Sequence, residues 1–167
     1  KEMNRGYTRE EYIELVNKIR AKNPNAAIST DTIVGFPGES EEDFQKTIEL
    51  YQELEFDMAY MFNYSKRSGT PAAEKENQVP EEIKKERLQY LMDLQSEISA
   101  QKNQELVGEV VEVLVDGPSK KDPDKLSGRS RTNKIVVFES DKNLTGQIVN
   151  VMINKAHSWT LFGKLVD

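Results

Sequence analysis

The chain has 167 residues, a formal net charge of −6 and no cysteine, and this length suits one ordinary domain or two small ones. The lack of cysteine excludes disulfides, thiolate nucleophiles and cysteine-held metal clusters within this sequence, and the one histidine, His157, has no partners for a metal site. Because no apolar run approaches the roughly 18 residues that span a bilayer and no secretory signal is visible, we expect a soluble, cytoplasmic chain without membrane contact.

The first half alternates helix and strand signals. Thr8 with Glu11, and Ser40 with Asp43, have the spacing of capping boxes, which begin helices. The predicted elements are a helix over residues 9–22, a strand over 26–35, a helix over 41–54, a strand over 57–64 and a helix from Pro80 to about Gln104. The last helix is expected to present one side made of Ile83, Arg87, Leu88, Leu91, Leu94 and Ile98.

This alternation predicts an α/β fold with parallel strands covered by helices. Two parallel strands cannot bury both of their faces by themselves. The first half is therefore predicted to be part of a larger (β/α) barrel or half-barrel.

The second half has the shorter period of an all-β domain. Strands are predicted over residues 109–115, 134–139, 147–153 and 158–166, with turn signals between them. Short, closely spaced strands of alternating polarity predict a small antiparallel β-barrel. The boundary between the two halves is expected near residues 106–108.

Two polar, glycine-containing segments include the carboxyl ends of the predicted strands of the first half and the residues that follow them. They are residues 29–39 (STDTIVGFPGE) and residues 64–72 (YSKRSGTPA). A glycine at a strand end lets a ligand approach the backbone, and the carboxyl ends of barrel strands build active sites. A core strand with a Pro-Gly turn explains the first segment about equally well, and a solvated loop explains the second.

A basic segment lies in the otherwise acidic chain. Residues 118–134 hold six basic and two acidic residues, which suits contact with a polyanion. Trp159 can stack on an RNA base, although packing in the barrel core is the more common role of such a residue. The basic segment can equally be a solubilising loop.

Together these segments resemble the later part of the radical-SAM methylthiotransferases. The resemblance rests on residues 3–8 (MNRGYT), 31–39 (DTIVGFPGE), 64–72 and 79–82 (VPEE). From Gly108 onward the chain resembles the TRAM domain, a small RNA-binding β-barrel. Residues 115–120 (VDGPSK) and 126–129 (LSGR) look most like the MiaB-type branch, which modifies isopentenyladenosine beside the tRNA anticodon.

The resemblance implies a C-terminal part of a radical-SAM barrel over residues 1–106 and a TRAM domain over 107–167. The full enzymes of this family use S-adenosylmethionine and two iron–sulfur clusters, and the cofactor carries the hard chemistry. Since this sequence holds none of the cluster cysteines, the chain is expected to be a fragment that binds no cofactor and is inactive alone. Its expected partners are the anticodon stem-loop of tRNA and the missing N-terminal part of the enzyme.

The resemblance also suggests site residues, none of them catalytic or metal-ligating. Candidates for contact with S-adenosylmethionine are Thr30, Asp31, Ile33, Val34, Gly35, Phe62, Tyr64, Ser65 and Arg67. Candidates for RNA contact are Lys120, Lys121, Arg129, Arg131, Asn133, Lys134 and Trp159.

Two alternatives stay open at this point. One is a related methylthiotransferase that acts on threonylcarbamoyladenosine in tRNA or on a ribosomal protein. The other is a stand-alone RNA-binding protein in which the βα part is only a spacer.

Overall fold

The computed structural model describes residues 2–166 and has a mixed α/β architecture. The chain divides into two compact units, one ending at Gln95 and the other beginning at Ser96. This division lies earlier than residues 106–108, within the long last helix. No helix of the described part of the chain combines the length and the apolar character that crossing a membrane requires.

The first unit contains the predicted helices and strands. They are α1 (Arg9–Lys22), β1 (Ser29–Val34), α2 (Glu41–Leu54), β2 (Met58–Asn63), the short α3 (Pro71–Glu74) and α4 (Glu81–Gln104), which continues into the second unit. Both predicted capping boxes are formed. The Thr8 hydroxyl accepts from the Glu11 backbone, and the Ser40 hydroxyl accepts from the Asp43 backbone.

Strands β1 and β2 form a two-stranded parallel sheet in the register Ser29↔Met58 to Val34↔Asn63. One face is covered by helices. On that face the Tyr12 hydroxyl donates to the Thr30 hydroxyl at 3.0 Å, and Val34 is buried. The core beneath it contains Tyr51, Leu54 and Phe56.

The buried side of α4 includes Arg87, Leu91 and Ile98 of the predicted side, and it also includes polar residues that were not predicted there. In the first unit it consists of Lys84, Arg87, Leu91 and Gln95, and in the second unit of Ile98, Ser99 and Asn103. Ile83 is 36% exposed instead. Polar side chains are tolerated there because they find partners: the Gln95 amide, for example, donates to the Phe56 carbonyl at 2.7 Å.

The second unit contains a closed five-stranded barrel. Its strands are β3 (Val110–Pro118), β4 (Lys125–Ser130), β5 (Ile135–Glu139), β6 (Ile148–Ala156) and β7 (Thr160–Val166). They are ordered β3-β4-β5-β7-β6 around the barrel, and the β5–β7 pair is parallel whereas the other pairs are antiparallel. The interior is filled by alternate side chains, among them Val113, Val136, Phe138, Val151 and Leu161.

Strand β4 was not predicted, and it lies within the basic segment of residues 118–134. Its sequence, KLSGRS, offers only one large apolar side chain to the core, Leu126. A second inward position is Gly128, where a Cβ atom would lie only 2.6 Å from Val113 Cγ1 and still closer to the Leu114 carbonyl. Close packing of the backbone therefore takes the place of an apolar side chain.

Candidate functional site

The two polar segments of the first unit meet at one edge of the sheet. The Tyr64 amide donates to the Val34 carbonyl at 2.8 Å, just beyond the paired strands. Since β1 and β2 are parallel, Gly35 and Ser65 follow the same ends of neighbouring strands. The carboxyl ends of the two strands form a continuous edge.

The local packing and backbone conformation at the first strand end require Gly35. Its φ of +73° favours glycine, and a Cβ atom would lie 2.9 Å from Lys84 Cδ and nearer still to Lys84 Cγ. The space beside Gly35 is thus occupied by the stem of a lysine of α4.

Lys84 and Arg87 connect α4 to both strand ends. Lys84, 3% exposed, donates to the Tyr64 carbonyl at 3.2 Å and to the Glu81 carboxylate at 2.6 Å. This hydrogen bond holds the pKa of Glu81 below its ordinary value. Arg87 donates to the Glu39 carboxylate at 2.7 Å, and that carboxylate also accepts from the Gly35 amide at 3.0 Å.

These two cations were not among the predicted site residues. The signal that could have found them is their i, i+3 spacing on the same side of α4 as Leu91, which places charged groups on a face that must be buried. A charge in such a position requires a partner within reach. In this chain the partners are supplied by the segments that follow β1 and β2.

The predicted cofactor-contacting residues are divided between the two faces of the sheet and its edge. Asp31, Ile33 and Phe62 lie on the face that faces away from the helices, because Ile33 pairs with Phe62 and Asp31 with Tyr60. Phe62 is 55% exposed and Tyr60 is 51% exposed. We call Asp31, Ile33, Tyr60 and Phe62 the open face.

Thr30 and Val34 do not belong to the open face. The hydroxyl of Thr30 is bonded to Tyr12, and Val34 is 1% exposed beneath the helices, so neither side chain can wall a pocket on the other face. Contact of Thr30 and Val34 with S-adenosylmethionine stays a prediction. At the sheet edge, Tyr64 packs edge-on against Phe36 at 5.4 Å, whereas Ser65 and Arg67 are exposed loop residues.

The open face combines a carboxylate with apolar and aromatic side chains. Such a surface can bind a flat, weakly polar ring against Ile33 and Phe62 and accept a hydrogen bond at Asp31. It contains no group that could ligate an iron–sulfur cluster. Within residues 2–166 no group of three or more His, Cys, Asp or Glu side chains is arranged to hold a metal ion.

The predicted RNA-contacting residues lie at two different ends of the barrel. Lys120 and Lys121 are exposed in the β3–β4 loop, near the end where Pro118 pairs with Leu126. Arg131, Asn133 and Lys134 follow the other end of β4, beyond a strand of six residues that spans about 20 Å. Trp159 also lies near that second end, because Ile135 pairs with Thr160.

Several of these side chains have partners inside the barrel unit. Arg129 donates to the Asn133 carbonyl at 3.0 Å, and Asn133 has a φ of +61° that shapes this turn. Arg131 is paired with the exposed Glu112, whose pKa is lowered by that hydrogen bond. Lys134 donates to the Asn103 side chain at 2.7 Å.

Trp159 is 49% exposed, so the common role of a buried core tryptophan does not apply.

Two family models match the chain. Residues 104–166 match the model described as TRAM domain, and residues 1–51 match the model described as Radical SAM superfamily. The first of these matches covers all five strands of the barrel. The second covers α1, β1 and most of α2.

Curated relatives align with the chain over its whole length. A protein of Natranaerobius thermophilus named tRNA-2-methylthio-N(6)-dimethylallyladenosine synthase is 55% identical over 167 residues, which is 100% of this chain and 37% of that protein. Proteins with the same name are 56% identical over 167 residues in Geobacillus kaustophilus (100% of this chain, 32% of that protein) and 52% identical over 166 residues in Fusobacterium nucleatum (99% and 38%).

This chain belongs to the radical SAM methylthiotransferase family. It spans between about a third and two fifths of the length of these relatives. Within the family, S-adenosylmethionine and iron–sulfur clusters serve the complete enzyme, and this chain has no cysteine with which to hold a cluster.

Proposed function

We propose that this chain is a C-terminal segment of a tRNA methylthiotransferase that adds a methylthio group to isopentenyladenosine next to the anticodon by radical-SAM chemistry. In this proposal residues 1–106 supply one part of the cofactor pocket and residues 107–167 bind tRNA. The names of the relatives favour this substrate over threonylcarbamoyladenosine or a ribosomal protein, since the dimethylallyl group in those names is the isopentenyl group.

The observation that carries the proposal is the open face at the carboxyl edge of a parallel sheet. In barrels of parallel strands this edge builds the active site. Asp31, Ile33 and Phe62 present a carboxylate and apolar surface on the face opposite the helices. These side chains fit a nucleoside cofactor, whose adenine would lie on Ile33 and Phe62 while Asp31 accepts from a hydroxyl or ammonium group.

Lys84, Arg87 and Glu39 have a supporting part in this proposal. They fix the backbone at Gly35 and Tyr64, so the strand ends keep one geometry. Ser65 and Arg67 are placed in the loop beyond the second strand end, where Arg67 can reach the cofactor carboxylate or the substrate. The cluster ligands belong to polypeptide outside this sequence, because no cysteine is present here.

For the barrel we propose contact with the anticodon stem-loop through the end that carries Arg129, Arg131, Asn133 and Trp159. Arginine side chains suit phosphate, and an exposed tryptophan suits stacking on an unpaired base. Lys120 and Lys121 would contact the RNA backbone from the other end of the barrel, while Lys134 acts through its bond to Asn103. A tRNA-modifying enzyme of this kind would work in the cytoplasm.

The test uses the complete protein that contains this chain, expressed in a host lacking tRNA methylthiolation. We expect methylthio-isopentenyladenosine in the host tRNA by mass spectrometry, and a strong decrease with Phe62→Ala or Asp31→Ala. The matched control is Lys18→Ala, an exposed helix position in the same unit. Methylthiolated threonylcarbamoyladenosine instead would establish the alternative substrate.

The chain alone is predicted to bind no cluster and to form no methylthio product. Reconstitution with iron and sulfide, followed by absorbance spectroscopy and nucleoside analysis, checks this prediction. A stable cluster on the 167-residue chain would contradict it.

A further inference from the structure

The outer surface of the barrel carries a cleft that neither predicted basic group includes. It lies over β5, β7 and β6 and has a volume of about 340 Å³. Its functional side chains are Lys125, Glu139, Lys155, Phe162 and Lys164, with the buried Val137 at its floor. We call it the Phe162 cleft.

Strand register brings these residues together. Phe162 is paired with Val137 on one side and with Lys155 on the other, and Lys164 is paired with Glu139 in the next row. Lys155 is on this outer surface because of the bulge between Ile153 and Lys155. The Lys155 ammonium lies 6.0 Å from the centre of the Phe162 ring.

The cleft is positively charged in a chain that is negatively charged overall. It has three lysines and one glutamate, and Lys125 pairs with Asp122 at 3.2 Å and with that glutamate, Glu139, at 3.7 Å. Among the described residues, Lys155 and Lys164 make no ion pair with a carboxylate. Two cations near an aromatic ring are therefore available to an incoming anion.

We propose that the Phe162 cleft binds a single-stranded RNA segment, with one base stacked on Phe162 and the adjoining phosphates on Lys155 and Lys164. The inference rests on the proposed function, in which the barrel binds tRNA, and it names the surface that takes the unpaired nucleotides. An aromatic ring flanked by lysines is the chemistry that binds single strands without sequence preference.

A double helix suits this cleft poorly. Bases in a duplex stack on each other and present only their edges, so the Phe162 ring would have no base face to contact. A base that stacks on the ring displaces the Lys155 ammonium towards the neighbouring phosphate, where the lysine gains an ionic contact. The His157 ring also contacts Phe162, with 5.3 Å between the two ring centroids in a T-shaped arrangement.

The test measures binding of a fluorescent 12-nucleotide uridylate strand and of a duplex RNA of equal length to the full 167-residue chain. Phe162→Leu keeps apolar bulk but removes the ring, and it should weaken single-strand binding about tenfold with little effect on the duplex. Phe162→Tyr should stay within about twofold of the unchanged chain, because it restores the stacking surface.

The lysines are tested by salt dependence. The double variant Lys155→Ala/Lys164→Ala should reduce the slope of log affinity against log salt by about 1.4 for the single strand. Its matched control, Lys22→Ala/Lys142→Ala, removes the same charge from exposed positions outside the cleft and should leave the slope nearly unchanged. Trp159 fluorescence and circular dichroism verify that each variant is folded.

The outcomes separate the two proposals. If the unchanged chain binds neither the uridylate strand nor tRNA, both this inference and the proposed RNA-binding role of the barrel are wrong. If it binds RNA but Phe162→Leu and the double lysine variant bind equally well, only the Phe162 cleft is refuted. An equal loss on duplex RNA would likewise refute selection for unpaired bases.

Discussion

The two sheets that residues 2–166 form differ in closure: one is an open sheet and the other is a closed barrel. Each barrel strand has a neighbour on both sides, and alternate side chains fill a common interior. The β1–β2 sheet has only two strands, with helices on one face and exposed Tyr60 and Phe62 on the other. In a closed barrel the strands pair all their edges with each other and bury a common core. An open sheet instead leaves a surface that another group has to cover or a ligand can use.

The same difference appears in how glycine is used. At Gly128 and Gly163 in the barrel, a Cβ atom would meet backbone carbonyl atoms of the neighbouring strand. At Gly35 in the first unit it would meet the flexible stem of Lys84. Backbone in a closed barrel cannot shift without breaking hydrogen bonds, so glycine replacement there should have the larger effect.

The largest expected effect therefore follows from Gly128→Ala. The added methyl group should reduce the free energy of unfolding of the barrel by more than about 3 kcal/mol, because the Leu114 carbonyl cannot move aside. Urea unfolding followed by fluorescence of Trp159, the one tryptophan of the chain, reports on the barrel unit.

The control for this variant is Gly146→Ala. Gly146 has a φ of +79° and nothing within 4 Å of a Cβ atom, so only backbone strain of about 1 kcal/mol is expected. Equal losses for the two variants would show that the barrel is not closely packed at Gly128.

A smaller, coupled effect is expected at the strand ends of the first unit. Gly35→Ala should reduce stability by roughly 2–3 kcal/mol, through contact with Lys84 and through its positive φ. In the Lys84→Ala background the contact is absent, so the same replacement should reduce stability by only about 1 kcal/mol.

A double-mutant cycle with urea unfolding monitored by circular dichroism at 222 nm measures this coupling. Lys85→Ala, at the exposed neighbouring position of α4, is the matched background. Additive losses at Gly35 and Lys84 would mean that the lysine stem does not fill the space beside the glycine.

The sequence predicted elements best where local chemistry decides the outcome. The predicted bounds of α2 agree with Glu41–Leu54 because Ser40 and Asp43 form a capping box that needs no distant partner. The order of parallel strands was also predictable, since helices separate them. Local pattern was sufficient in both cases.

Prediction from the sequence failed where the structure depends on residues that are far apart in the chain. Strand β4 has one large apolar core residue and was missed, because what makes Gly128 suitable is the carbonyl of Leu114 on another strand. The burial of Lys84 and Arg87 depends on Tyr64 and Glu39, which are far away in sequence. Trp159 was favoured as a core residue, yet the barrel interior is already filled by other side chains.

The two ends of the barrel can be compared by their contribution to tRNA binding. Arg129→Ala/Arg131→Ala should weaken binding and lower the salt slope by up to about 2, because both cations lie at the end near Trp159. Lys120→Ala/Lys121→Ala removes the same charge at the other end. Filter binding of tRNA at several salt concentrations measures both slopes.

We expect the arginine pair to have the larger effect, since arginine binds phosphate through two parallel hydrogen bonds and a tryptophan is nearby. An unchanged slope for the arginine variant would remove Arg129 and Arg131 from the RNA surface. An equal change for both variants would indicate that the RNA spans the whole barrel.

The smallest expected effect on stability concerns the N-terminus of α2, where the hydrogen bonds join residues close in sequence. The Asp43 carboxylate accepts from the Ser40 hydroxyl at 2.7 Å and from the Ser40 amide at 3.0 Å, and these bonds lower the pKa of Asp43 from its ordinary value of 3.8. Because folding lowers this pKa, the charged carboxylate stabilises the folded state at pH values above the ordinary pKa. This stabilisation is lost as the pH falls through the lower pKa of the folded state. Asp43→Asn should therefore lower stability by about 0.5 kcal/mol at pH 7, and this loss should shrink as the pH is lowered below 3.8 and through the folded pKa. Thermal unfolding over a series of pH values, followed at 222 nm, checks this, with Asp93→Asn, an exposed carboxylate within a helix, as control. A difference that persists at the lowest pH would assign the effect to the shape of the side chain and not to its charge.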